Sequence, residues 1–276
     1  MGIISNFWKG IAYRIKQIFF NRYKMVGLSR LQVKMLKHAG NDKKIKNIIF
    51  LGKRFSFCNG REFLHGVDEI FINEIYKSKL SDAPIIFDCG ANIGLSVLYF
   101  KMQNPQAKII AFEPDKENFE ILSSNINAFN FNDISLRKDA VWIENTELNF
   151  QTDGTMGSKL VADNACNNQT NIVNAIRLKE LITMPIDMLK IDIEGAEFEV
   201  LKDIIDKLHL VKNIFLEYHG SFNQNNELNE ILQILTLKGF SYYIKEATPV
   251  YNHPFIKNKA PNYPYDVQLN IFGFKH

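Results

Sequence analysis

From residue 84 onward, short apolar runs take turns with amphipathic stretches. Runs at 85–88, 109–113, 134–141, 186–192, 213–218 and 240–245 have the length of strands. Between them, apolar positions recur every three to four residues over 94–103, 115–128, 195–207 and 225–238, the spacing of a helix with one buried stripe. Pro105 ends the first of these helices. Strands this short, separated by helices, predict β-α-β units and a mostly parallel sheet covered on both faces. The rhythm lapses over 142–176, a polar and Asn-rich stretch that reads as a hairpin and loops. Pro249, Pro254, Pro261 and Pro264 make 248–264 a loop, and 265–274 is a closing strand. No helix separates that strand from 240–245, so the two are expected to pair antiparallel.

Upstream, residues 48–51 and 55–57 read as short strands around Gly52-Lys53-Arg54, and 67–79 as a helix leading into the first parallel strand. Over 3–20, Ile3, Ile4, Phe7, Trp8, Ile11, Ile15, Ile18 and Phe19 fall at helical spacing while Lys9, Arg14 and Lys16 take other faces. Such a helix either packs on protein or lies on an anionic membrane surface. The expected organisation is a basic helical and short-strand extension over 1–66 and a main domain over 67–276.

Charge sharpens this division. Of the 33 Lys/Arg, eight fall in residues 1–41, where no acid occurs, leaving 25 against 30 Asp/Glu in the rest. No nucleic-acid motif accompanies the basic stretch, so no nucleic-acid partner is expected. Cys58, Cys89 and Cys166 lie far apart with no C-x-x-C pair, which argues against a disulfide framework or zinc cluster. With no 18-residue apolar run and no secretory signal, the expectation is a cytoplasmic protein, at most peripheral at the inner face of a membrane.

The candidate chemistry sits where parallel strands end. Asp88-Cys89-Gly90-Ala91-Asn92-Ile93-Gly94 follows the first strand, and Glu113-Pro114 ends the second. Glycines permit close backbone approach, and an acid at the next strand tip can accept hydrogen bonds from both ribose hydroxyls. The spacing is not the G-x-G-x-x-G that holds a diphosphate. A nucleoside without a diphosphate is therefore favoured, S-adenosylmethionine first among them. Asp139, before Ala140, ends the third strand and can accept from an adenine amino group.

Lys190, Asp192 and Glu194 alternate with Leu189, Ile191 and Ile193, placing three ionisable groups on one side of a central strand. They are either a structural ion pair or a functional cluster, since buried charge is costly unless paired. Glu217 and His219 end the next strand, and a near-neutral imidazole suits a general base. Asp192 and Glu217 could hold Mg²⁺ through oxygen ligands, but nothing in the pattern requires a metal.

Together these blocks resemble the FkbM family of S-adenosylmethionine-dependent methyltransferases. The resemblance rests on Phe87 to Ser96, on Ala111 to Asp115 with Asn118 and Leu122, on Leu189 to Glu197 with Val200-Leu201, and on Leu216 to His219, and it spans roughly 70–245. It implies a Rossmann-like class I methyltransferase fold of α/β class: a seven-stranded, mostly parallel sheet with helices on both faces. By that resemblance Asp88, Gly90, Asn92, Gly94, Glu113 and Asp139 line the cofactor site, with Ala91, Ser96, Pro114 and Ala140 beside them. Asp192 and Glu194 border the acceptor, and Asp192, His219 or Glu217 takes or orients its proton. The implied reaction is O-methylation of a sugar hydroxyl in a surface glycan or lipid-linked precursor. A soluble natural product is the second acceptor. A non-catalytic nucleoside-binding scaffold and an NAD-dependent oxidoreductase are the readings from other classes. Peripheral membrane contact through 3–20 is compatible with this, as is an oligomer.

Overall fold

The computed structural model describes residues 21–39, 44–151, 159–160, 170–256 and 264–276. The amphipathic segment 3–20 and Gly157-Ser158 lie outside the described residues. The chain divides into two compact units, 1–75 and 76–276.

In the first unit, helix α1 (Arg30–His38) starts in a capping box, with Ser29 Oγ accepting from Gln32 N and Gln32 Oε1 from Ser29 N. Strands β1 (Lys46–Phe50) and β2 (Lys53–Phe57) form the expected hairpin. Helix α2 (Gly60–Val67) follows and runs on through a wider turn over Asp68–Ile72. The sequence reading placed this helix at 67–79, too late. Asn59 is the reason for the difference: its side chain accepts from Arg61 N and Glu62 N and donates to Glu62 Oε1 at 2.7 Å. Phe50, Phe55 and Phe63 are fully buried, Phe57 stacks on Phe63 at 4.8 Å, and Phe71 meets Phe50 edge-on at 5.2 Å. Each such ring contributes roughly 1.5–3 kcal/mol by leaving water.

The second unit holds strands β3 (Ile85–Cys89), β4 (Lys108–Phe112), β5 (Ile134–Arg137), β10 (Ile186–Ile191), β11 (Val211–Gly220), β12 (Ser241–Glu246) and β13 (Val267–Phe274). They form one sheet in the order β12-β13-β11-β10-β3-β4-β5. All run parallel except β13, which lies antiparallel between β11 and β12. The expected antiparallel pairing of the last two strands is thus present. Helices α3 (Leu95–Gln103) and α4 (Lys116–Phe129) provide the crossovers on the β3 side. Helices α6 (Glu197–Asp203) and α7 (Asn225–Leu237) pack on β11. The core runs through Phe87, Phe112, Leu189, Ile191, Leu201, Leu216 and Ile271.

The stretch where the rhythm lapsed is a second sheet rather than mainly loops. Strands β6 (Ala140–Trp142), β7 (Thr146–Gln151), β8 (Lys159–Leu160) and β9 (Thr170–Arg177) pair in the order β6-β9-β7-β8. A four-residue helix, α5 (Leu178–Leu181), leads from it toward β10. Arg177 ties this sheet to α6 with a two-pronged ion pair to Asp203, at 2.6 and 3.0 Å. Asp139 lies in the break between β5 and β6, two strands that the sequence reading had joined. Among the described residues no helix is long and apolar enough to cross a membrane.

Candidate active site

The strand order reverses between β3 and β10, and the crevice at their carboxyl ends is where such a sheet takes a ligand. At the end of β3 the chain turns through Gly90 (φ 87°), Asn92 (φ 49°) and Gly94 (φ 95°). The neighbouring protein explains both glycines. A Cβ on Gly90 would sit 1.8 Å from the carbonyl oxygen of Asp192, and one on Gly94 would sit 2.8 Å from Leu122. The first glycine lets β3 and β10 close on each other; the second lets α4 pack.

Glu113, at the tip of β4, anchors the turn from the other side. Its carboxylate accepts Asn92 N at 2.8 Å and Asp115 N at 3.0 Å, while Gly90 N and Ala91 N donate to the Phe112 carbonyl. Burial pushes the Glu113 carboxyl up to about 8, against the pull of those two N–H groups. Each oxygen already accepts one backbone N–H and retains lone-pair capacity for a further donor. Pro114 and Ala140 flank this edge, with Ala140 buried and Pro114 half-buried. Asp139 accepts from Arg137 Nε at 2.9 Å, so an ion pair already occupies one of its oxygens.

Asp88 and Ser96 have a different place from the one expected. Asp88 is fully buried, accepts from Ser96 Oγ at 2.5 Å, and pairs with Lys190 Nζ at 3.1 Å. Both residues act on the turn from behind it. Lys190, 2% exposed, also reaches Asp192 at 3.3 Å and donates to the Gly90 carbonyl at 2.9 Å. Burial works against its charge, but Asp88 and Asp192 outweigh it and hold the ammonium well above the ordinary lysine range. Of the two readings the sequence left open for Lys190, the structure shows the ion pair: the ammonium clamps β3, β10 and the glycine turn together.

On the other side of β10 lie Glu194 and His219. His219 Nδ1 is 3.1 Å from Glu197, while Nε2 is 3.5 Å from Glu194 and 3.7 Å from Glu217. Burial opposes a charged ring, yet Glu197, then Glu194 and Glu217, push His219 up to about 10. The expected near-neutral base is thus an imidazolium at pH 7. The Glu194 carboxyl is also raised, here by burial itself, to about 7, with His219 pulling it down and Asp192 pushing it up. A half-buried carboxyl poised near neutrality has the properties of a general base. The sequence reading named Asp192 and Glu217 as the oxygen pair for Mg²⁺. Among the described residues, Asp192, Glu194 and His219 are the group whose donor atoms lie within 4.8 Å of one another.

Three residues of the cluster were absent from the sequence reading's candidate site. Glu197, 1% exposed, accepts from Ile193 N, Gly195 N and His219, and so fixes the left-handed Glu194-Gly195 turn (φ 58° and 103°). An acid in the first turn of a helix has a ready dipole explanation, which hid this role. Tyr265 donates to the Glu194 carbonyl at 2.7 Å, its ring centroid 4.7 Å from that of His219. Gln268 donates to Glu217 at 2.7 Å. Both come from the last strand region, far along the chain from β10, and only the antiparallel register of β13 on β11 brings them in.

A sheet in this strand order, with a glycine turn at the reversal point and an acid at the tip of the next strand, is a class I methyltransferase-like fold. The Methyltransferase FkbM domain model matches residues 88–242, and the chain belongs to that family. It is 27% identical over 210 residues to Methyltransferase 1 of Beauveria bassiana, covering 67% of this chain and 82% of that protein. It is 31% identical over 212 residues to Methyltransferase sdnD of Sordaria araneosa, covering 62% and 80%. The crystal structure of Methyltransferase FkbM from Methylobacillus flagellatus superposes with a TM-score of 0.49 at 16% identity, covering 75% of this chain and 47% of that one.

Proposed function

We propose that the protein is an S-adenosylmethionine-dependent O-methyltransferase whose acceptor is a sugar hydroxyl of a surface glycan or of a lipid-linked glycan precursor. The observation that carries this reading is the grouping of Glu194 with Asp192 and His219, the Glu194 carboxylate 3.5 Å from His219 Nε2 and its carboxyl raised to about 7 by burial. Bound S-adenosylmethionine supplies a methyl group already activated on a sulfonium. Glu113 accepts hydrogen bonds from the ribose, and the acids around the turn suit a cationic cofactor. Glu194 would take the hydroxyl proton as the acceptor oxygen bonds to the methyl carbon, the carbon–sulfur bond breaking to leave S-adenosylhomocysteine. His219, through Glu197, holds Glu194 in place and offsets the surrounding negative charge. Carboxylates and the Gln268 amide provide the hydrogen-bonding groups that a polyhydroxylated acceptor needs.

The test begins with calorimetric titration of S-adenosylhomocysteine, with NAD⁺ in parallel. Micromolar binding of the first alone supports the cofactor, and a preference for NAD⁺ overturns it. Labelled methyl transfer to sugar, lipid-linked and small-molecule hydroxyl acceptors then decides the acceptor. Transfer to soluble small molecules alone would replace the glycan reading, and binding without any turnover would favour a scaffold. Glu194→Gln should lower kcat by about 10²–10⁴-fold with cofactor affinity kept.

A further inference from the structure

The exposed face of α1 has no role in the chemistry above, yet it is built unlike a solvated surface. Val33 and Leu36 face inward, 8% and 4% exposed. On the opposite side Leu31 and Met35, one helical turn apart, are 68% and 64% exposed. Arg30, Lys34 and Lys37 flank them, all exposed. Among the described residues no ion pair engages these three cations. Residues 21–39 contain no acid. We infer that this face is an interaction surface for an anionic phospholipid membrane, with Leu31 and Met35 entering the headgroup region and Arg30, Lys34 and Lys37 meeting lipid phosphates.

The sign of the charge selects this occupant. A second copy docked on the same face would set lysines against lysines. Segment 1–20 of this chain carries Lys9, Arg14 and Lys16 and no acid, so it offers these cations no counter-charge. A nucleic acid would satisfy the cations, but aliphatic side chains give its bases nothing to stack on. A lipid surface satisfies both components: apolar side chains gain by leaving water, and each cation near an anionic leaflet gains about fivefold in binding. This inference is independent of the acceptor reading.

The experiment is co-sedimentation of the full chain with phosphatidylcholine vesicles with and without phosphatidylglycerol. The expected result is binding only to the anionic vesicles, weakening as salt is added. Lys34→Gln with Lys37→Gln should weaken partitioning by about 30-fold. Leu31→Ser with Met35→Ser should weaken it by about tenfold or more. Unchanged S-adenosylhomocysteine binding and circular dichroism would show that both variants are folded. Equal binding to neutral vesicles, or α1 variants that bind as well as the parent, would overturn the inference. So would vesicle binding lost only on deleting residues 1–20. Tight binding to a duplex oligonucleotide that survives Leu31→Ser with Met35→Ser, without vesicle binding, would replace lipid by nucleic acid.

Discussion

Replacing Lys190 by methionine keeps the length of the side chain and removes its charge. Asp88 would then face β10 with no cation, although it is 0% exposed and keeps only the Ser96 hydroxyl. Deleting one partner of a buried ion pair costs about 3–5 kcal/mol, mostly the cost of the stranded charge. For a unit the size of 76–276 this corresponds to a fall of about 6–20 °C in Tm. Urea denaturation followed by tryptophan fluorescence and circular dichroism measures the loss directly. The decisive comparison adds Asp88→Asn: with both charges gone, the double variant should recover about 0.5–3 kcal/mol over Lys190→Met alone. A loss below about 1 kcal/mol in the single variant would refute the buried clamp, since that is the worth of an exposed pair. No recovery in the double variant would refute it equally. The Gly90 carbonyl also loses its donor, so weakened S-adenosylhomocysteine binding should accompany the loss.

Other outcomes follow from the same geometry. Glu113→Gln should weaken S-adenosylhomocysteine binding above pH 8, where the carboxylate is charged, by about 10–100-fold, the worth of a hydrogen bond to a charged group, as read by calorimetry. Because the Glu113 carboxyl is raised to about 8 in the fold, its contribution to stability is full below the ordinary glutamate range and is lost as pH rises through about 8. The parent should therefore lose more stability than Glu113→Gln across that window in pH-dependent denaturation. Nitrogen-15 imidazole spectra should show His219 charged through neutral pH and titrating near 10, with Glu197→Gln lowering that value; a neutral ring at pH 7 would contradict the assignment. The rate of methyl transfer should fall below about pH 7 as Glu194 takes up a proton, and a rate independent of pH from 5 to 9 would exclude Glu194 as the base. Gly90→Ala should give insoluble or strongly destabilised protein, because the new methyl would overlap the Asp192 carbonyl.

Most of the βαβ order was legible in the sequence because each strand and helix carries its own period and its own stop signal. The glycine turn and Glu113 were legible for the same reason: they lie at the junctions between elements. Their causes were less so. Nothing in Gly90-x-Asn92-x-Gly94 says that Gly90 yields to a carbonyl from residue 192 and Gly94 to a leucine at 122. The start of α2 was written in Asn59 and Glu62, yet the apolar run after residue 67 drew the prediction away from it. The second sheet escaped because its strands are polar and pair mainly with each other. In the site, the sequence placed ionisable residues at the strand ends but could not show how their charges are set. A histidine taken alone has a near-neutral pKa, whereas His219 is set by three carboxylates from β11, α6 and the loop after β10. Tyr265 and Gln268 depend on a strand register that no local pattern encodes.

Lys190 has a consequence for how enzymes of this design can be rebuilt. One ammonium reaches the buried Asp88 carboxylate, the Gly90 carbonyl of the turn, and Asp192 just after β10. The two halves of the site are therefore not interchangeable modules. A chimera that joins β3 and its turn from one protein to β10 from another would inherit two unrelated charge balances at a point with almost no solvent to correct them. Crossover points in the β6–β9 sheet or in the loop before β13 leave that charge balance whole, and those are the places to graft a new acceptor preference.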